Sequence, residues 1–193
     1  MAIKVVAFNG SPRENGNTAQ ALQVVLDELE KEGIETELVQ LRPLQIHECI
    51  ACYKCKDNQD QRCGQDDDDL NLCLEKILAA DGIILGSPTF FGGMASKLKA
   101  LVDRAGIVCK VNGLLINRKV GAPVVVARRQ GATDVYHGIS NFFAINGCIM
   151  VGSSYWNMAI GKDPGEIAND EEGQETLRNL GQNMAWLIHK LND

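Results

Sequence analysis

A chain of 193 residues, 45% hydrophobic and 23% charged, has the length of about one domain with a core of its own, so it needs no disulfide staples. Nineteen basic side chains against 25 acidic ones leave a formal charge of -6, which argues against a polyanion-binding surface and hence against nucleic acid as a partner. Apolar runs such as Ile83 to Leu85 and Val124 to Val126 fall far short of the roughly 18 residues a membrane span needs. The start MAIKVVAFNG lacks the charged, apolar and small-residue series of a signal peptide, so a cytoplasmic protein with no membrane association is expected.

Strands and helices are predicted in alternation. Ile3 to Phe8 is a nearly continuous apolar run, as a strand buried on both faces requires. Leu22, Val25, Leu26 and Leu29 follow helical spacing within Thr18 to Lys31, and Thr36 to Leu41 reads as a more polar, edge strand. Leu70, Leu74, Ile77 and Leu78 mark a helix whose preceding aspartates, Asp66 to Asp69, are expected to cap it rather than to bind metal. Gly82 to Gly86 is a third strand, and Met94, Leu98, Leu101 and Val102 form the next helix face. Val120 to Ala127 is a fourth strand, a helix covers about Asp134 to Ala144, and Cys148 to Gly152 is a fifth strand. Leu177, Leu180, Met184, Leu187, Ile188 and Leu191 form the last helix face. Five strands alternating with five helices predict an α/β fold in a single domain, residues 1–193. It is a doubly wound parallel sheet of five strands in the flavodoxin-like order 2-1-3-4-5. Two insertions stand out: a cysteine-rich loop, residues 44–66, after the second strand, and residues 153–169, whose Tyr155 and Trp156 are suited to cover a ligand or to meet another subunit.

In such a sheet the ligand lies outside the carboxyl ends of the strands. After the first strand comes GSPRENGNT, residues 10–18, in which Ser11, Arg13, Asn17 and Thr18 offer hydroxyls, an amide and a guanidinium beside a helix N-terminus, a set suited to one phosphate. Asn17 stands where a Walker A loop needs lysine, and G-x-G-x-x-G is absent here, so a monophosphate is the better match. After the third strand, Ser87, Pro88, Thr89, Phe90, Phe91 and Gly92 put an aromatic pair between proline and glycine, a flat wall for a planar heterocycle. After the fourth strand, Arg128 and Arg129 are expected in solvent or against another subunit, while the backbone around Gly131 meets a ring edge. A phosphate at the first loop and a planar ring between the other two describe FMN.

Four of the seven cysteines, Cys49, Cys52, Cys55 and Cys63, fall within fifteen residues. In a reducing compartment such clustering points to a metal or redox site. The spacing C-x2-C-x2-C-x7-C is close to compact iron-sulfur runs, so a [4Fe-4S] cluster is favoured; zinc and a thiol redox site are the alternatives. Cys73, Cys109 and Cys148 are expected as small buried hydrophobes, and His47, His137 and His189 as surface residues.

GSPRENGNT, SPTFFGGM and CIACYKCKDNQDQRC, together with the tail DPGEIANDEEGQETLRNLG, resemble the NADPH-dependent FMN reductase family, and within it the iron-sulfur flavoproteins of anaerobic archaea and bacteria. The resemblance covers essentially the whole chain. It implies one FMN, bound by the residues named above at the first two loops, and one [4Fe-4S] cluster on Cys49, Cys52, Cys55 and Cys63. It also implies a homo-oligomer, dimer or tetramer, with cluster and flavin brought close across subunits. Gly131-Ala132-Thr133-Asp134 keeps only part of the family's G-G-x-E run, and the gap before Cys63 is long for the pattern. The resulting expectation is an electron-transfer flavoprotein with ferredoxin or NAD(P)H as donor and no side chain acting as nucleophile or general acid. Its rivals are a cluster-free NAD(P)H-dependent flavin, quinone or azo reductase and a zinc-knuckle interaction module.

Overall fold

The computed structural model describes residues 3–192. Its strands are β1 (Lys4–Asn9), β2 (Glu35–Gln40), β3 (Gly82–Pro88), β4 (Val120–Ala127), β5 (Ile149–Met150) and β6 (Met158–Ile160). Its helices are α1 (Asn17–Lys31), α2 (Lys54–Asn58), α3 (Leu70–Ala79), α4 (Ser96–Val111), α5 (Ala132–Ile145) and α6 (Glu171–Asn192), with a 3-10 turn at Glu166–Asn169. All strand pairings are parallel, in the order β2-β1-β3-β4-β5, with β6 also paired to β4. No helix among the described residues is long and apolar enough to cross a membrane.

The period of two along each strand decides which helices it meets. Val6, Phe8, Ile83 and Leu85 join one core with α3, α4 and α5, while Val5, Ala7, Ile84, Val120, Ala122, Val124 and Val126 join the other with α1 and α6. Both faces of β1, β3 and β4 are therefore covered, which accounts for their near-continuous apolar runs. β2, at the edge, is only half-buried. Gly121 has no side chain because a Cβ there would stand 2.5 Å from Cδ1 of Phe143 on α5.

The fifth position of the sheet departs from expectation, because it is divided between β5 and β6. β5 pairs Ile149 and Met150 with Val120 and Gly121; β6 pairs Met158, Ala159 and Ile160 with Val125, Val126 and Ala127. Between them the chain leaves the sheet and presents Tyr155 and Trp156, both about half exposed and packed edge to face at 4.8 Å. Pro123, which has no N-H to give a ladder, sits opposite this interruption. Met94 precedes α4 rather than joining it, because α4 starts at Ser96.

Candidate functional site

A cleft of about 350 Å³ opens at the carboxyl ends of β1, β3 and β4, lined by Ser11, Arg13, Thr18, Pro88, Thr89, Phe90, Val126, Arg128 and residues 161–163, among others. The first loop is set by its own polar groups. Asn9 Oδ1 accepts from the Ser11 N-H at 3.0 Å, Ser11 Oγ accepts from the Arg13 N-H at 3.1 Å, and the Gly10 N-H donates to Gly86 O at 2.8 Å. The N-cap of α1 is Gly16, which brings no capping side chain, so the first-turn N-H groups lack a side-chain acceptor and suit an anion. Thr89 Oγ1 lines the same cleft, buried and without a hydrogen-bond partner among the described residues. An orphaned hydroxyl, open helix N-H groups and a nearby guanidinium fit a flavin phosphate and ring.

Not every expected residue lines this cleft as the motifs suggest. Asn17 does line the cleft, but it is only 7% exposed and its amide is turned to the second insertion: Nδ2 donates to Asp163 O at 2.9 Å, and Oδ1 accepts from the N-H groups of Gly165 at 2.8 Å and Ile167 at 3.4 Å. Its side chain straps the second insertion against α1. Ser87 is fully buried and shapes its loop, accepting from the Ala95 N-H at 2.9 Å and donating to Pro88 O. Phe91, with φ +48°, is fully exposed at the tip of the loop that Phe90 and Gly93 close with paired backbone bonds, and Gly92 lies beside it. Gly131 takes a positive φ of +83° at the start of α5, packed against Thr89 and Gly92. Phe91, Gly92 and Gly131 thus shape the rim, outside the cleft lining.

Sequence reasoning missed Arg128, Gly161, Lys162 and Asp163 as lining residues. Arg128 was expected in solvent or at a subunit contact. The other three come from the second insertion, whose length was the signal. Arg13 donates from Nη1 to Lys162 O at 3.3 Å, so the first loop and this insertion meet across the cleft.

The cysteine loop lies against the α3 and α4 side of the sheet. Lys97 Nζ donates to Arg42 O at 2.6 Å and Leu44 O at 2.5 Å, Asp69 Oδ2 accepts from the Gln45 N-H, and Asn112 Nδ2 donates to Cys55 O. Asn71 clamps the Cys63 backbone on both sides, accepting from its N-H at 2.9 Å and donating to its carbonyl at 3.1 Å. Cys55 and Cys63 are buried; Cys49 and Cys52 are exposed. Burial first, and then the neighbouring Cys63 and Cys52, push the Cys55 thiol above its ordinary range. Ala51 and Tyr53 take left-handed φ of +52° and +57°, turning the chain tightly between successive cysteines. Among the described residues no group of three or more His, Cys, Asp or Glu converges as holding a metal ion would require. A cluster spreads its ligands over several iron atoms, so its thiolates stand further apart, and an all-sulfur donor set fits that group chemically.

The expected helix cap at Asp66 to Asp69 is only partly that. Asp68 Oδ1 does accept from the Leu70 N-H at 3.1 Å, but Oδ2 accepts from the His47 N-H at 2.8 Å and pairs with Arg104, with both side chains fully buried. Burial alone would raise the Asp68 carboxyl; the guanidinium and the two N-H groups outweigh it and hold the group below its ordinary range. Cys73 and Cys109 are core residues, their thiols pushed up by burial to about 12. Cys148 is only half-buried, its thiol donating to Ile116 O.

A doubly wound parallel sheet in this order, with three loops closing on an anion-suited cleft at its carboxyl edge, defines a flavodoxin-like protein. The family model for the NADPH-dependent FMN reductases matches residues 3–163. The chain belongs to that family and is a flavin-dependent oxidoreductase. Among its relatives is an iron-sulfur flavoprotein of Methanocaldococcus jannaschii, 39% identical, with 96% of this chain and 97% of that one aligned. Another, the iron-sulfur flavoprotein of Methanosarcina thermophila, is 32% identical over 96% of this chain and 95% of its own. These relatives set the chain in the iron-sulfur flavoprotein group of the family. In fold alone it is similar to RosB, crystallised with a bound intermediate (TM-score 0.74, 23% identity, 99% of this chain and 81% of that one). It is likewise similar to a WrbA-like flavodoxin of Agrobacterium tumefaciens (TM-score 0.67, 18%, 98% and 99%).

Proposed function

We propose that this chain, acting as one flavodoxin-like unit, is an electron-transfer flavoprotein with FMN in the cleft and a [4Fe-4S] cluster on Cys49, Cys52, Cys55 and Cys63. Bound there, the two groups supply electron exchange between a one-electron carrier and a two-electron one. The observation that carries the reading is one chain presenting both the anion-suited cleft and a cysteine loop whose buried Cys63 sulfur meets a buried guanidinium. Open α1 N-H groups and Arg13 bind the phosphate, Thr89 Oγ1 takes a ring or ribityl oxygen, and Phe90 with residues 161–163 excludes water from that side. Asn17 holds those residues in place. The exposed loop carrying Cys49 and Cys52 faces a second copy in a homo-oligomer, dimer or tetramer, and ferredoxin or NAD(P)H is the donor.

Protein purified without oxygen is expected to be yellow-brown, with about four iron and four sulfide per chain, and Cys52→Ser to lose iron while keeping flavin. Flavin-bound protein without iron or broad iron-sulfur absorption would overturn the cluster assignment. One observation favours a second reading, a cluster-free NAD(P)H-dependent flavin, quinone or azo reductase: the family model that matches residues 3–163 is that of the NADPH-dependent FMN reductases. Fast NADPH oxidation by iron-free protein would select it.

A further inference from the structure

Arg104 is a large side chain with no exposed surface. It sits on α4, on the helix face turned toward the cysteine loop, and all five of its N-H donors find acceptors there. Nε and Nη2 reach Cys63 Sγ at 3.4 and 3.3 Å, Nη2 also donates to Gln65 O at 2.9 Å, and Nη1 donates to His47 O at 3.2 Å and to Asp68. The backbone of Cys63 is already fixed by Asn71, so the two bonds to its sulfur are not needed to place the loop. A neutral thiol is a weak acceptor. Two charged donors converging on one sulfur match an anionic ligand instead.

We propose that Arg104 is a positioning residue that holds the Cys63 sulfur as the fourth ligand of the cluster and raises the cluster's reduction potential through that fork. The proposal rests on the cluster assignment above. Reduction adds one electron and breaks no bond. The reduced cluster carries one more negative charge, and a fixed cation with two N-H groups on a ligand sulfur stabilises it more than the oxidised form. Asp68 offsets part of that charge, so the two residues act on the potential with opposite sign.

The experiment uses full-length protein purified without oxygen, carrying flavin and iron, and follows the cluster by EPR-monitored redox titration with flavin absorbance as internal reference. Arg104→Lys keeps one charge but not the planar fork. Its cluster is expected to become about tenfold harder to reduce, a shift of about 59 mV for one electron, with flavin potentials unmoved. Asp68→Asn keeps the fork and removes the countercharge, and its cluster is expected to become easier to reduce. An iron-loaded Arg104→Lys protein with an unchanged potential would overturn the proposal while leaving the cluster assignment intact. If Arg104→Lys sheds iron, Asp68→Asn decides: an upward shift supports the proposal, and no shift or a downward one overturns it. Wild-type protein without iron would overturn both readings together.

Discussion

Replacing Asn17 with alanine separates two roles for a residue in a phosphate-type motif. The side chain makes two short hydrogen bonds to the second insertion, at 2.9 and 2.8 Å, and one long one at 3.4 Å. At about 1 kcal/mol net for each short bond and little for the long one, Asn17→Ala lowers the cost of opening residues 161–167 by about 2 kcal/mol. That is about a thirtyfold rise in the open population. Amide hydrogen exchange read by mass spectrometry or NMR is expected to accelerate by about that factor at Gly165 and Ile167, with β3 and β4 unaffected. FMN affinity falls much less than thirtyfold, because a loop closed in most molecules beforehand stays mostly closed. Unchanged exchange at Gly165 and Ile167, combined with a collapse of FMN affinity, would refute the strap and return Asn17 to the phosphate.

Arg13→Ala is expected to weaken FMN binding about tenfold, followed by quenching of flavin fluorescence, with the loss shrinking as salt rises. Hydrogen bonds from Lys76 and Lys4 hold the Glu37 carboxyl below its ordinary value near 4.5. Its contribution is therefore present above that value and lost as pH falls through the lower folded one, and urea unfolding between pH 6 and pH 3 should show a shallower acid limb for Glu37→Gln. Gly121→Ala pushes a methyl to 2.5 Å from the Phe143 ring and is expected to destabilise by about 1–3 kcal/mol in thermal unfolding.

The order of the sheet was legible because β1, β3 and β4 carry apolar runs that only strands covered on both faces sustain. The run from Cys148 to Gly152 misled for the same reason: it has the composition of a buried strand, yet Ile149 and Met150 are exposed and pair for two residues only. That Ser11, Arg13, Asn17 and Thr18 line a cleft was readable from the motif at the start of α1, since a loop running from a strand into a helix is fixed by local chain order. Arg104 was not. It falls beside Leu101, Val102 and Ala105 on α4 as one more charged helix residue, and its burial is created by Asp68 and Cys63, 36 and 41 positions earlier. Lys162 and Asp163 were hidden likewise, because they meet the first loop through Arg13 and Asn17, nearly 150 residues away.

The broken edge of the sheet also says where this fold can be edited. Met150 and Met158 enclose seven residues, 151–157, while their partners Gly121 and Val125 enclose only three, 122–124, so the edge carries four residues more than a continuous ladder would use. Gly121 O and the Val125 N-H both point toward that edge, and Pro123, alternating with them, faces it without a donor. A straight strand would therefore have gained no N-H bond from Pro123, and the excursion leaves the ladder where least is lost. Tyr155 and Trp156 ride on a cassette that chain grafting can shorten, lengthen or exchange while β3, β4 and the cleft keep their register.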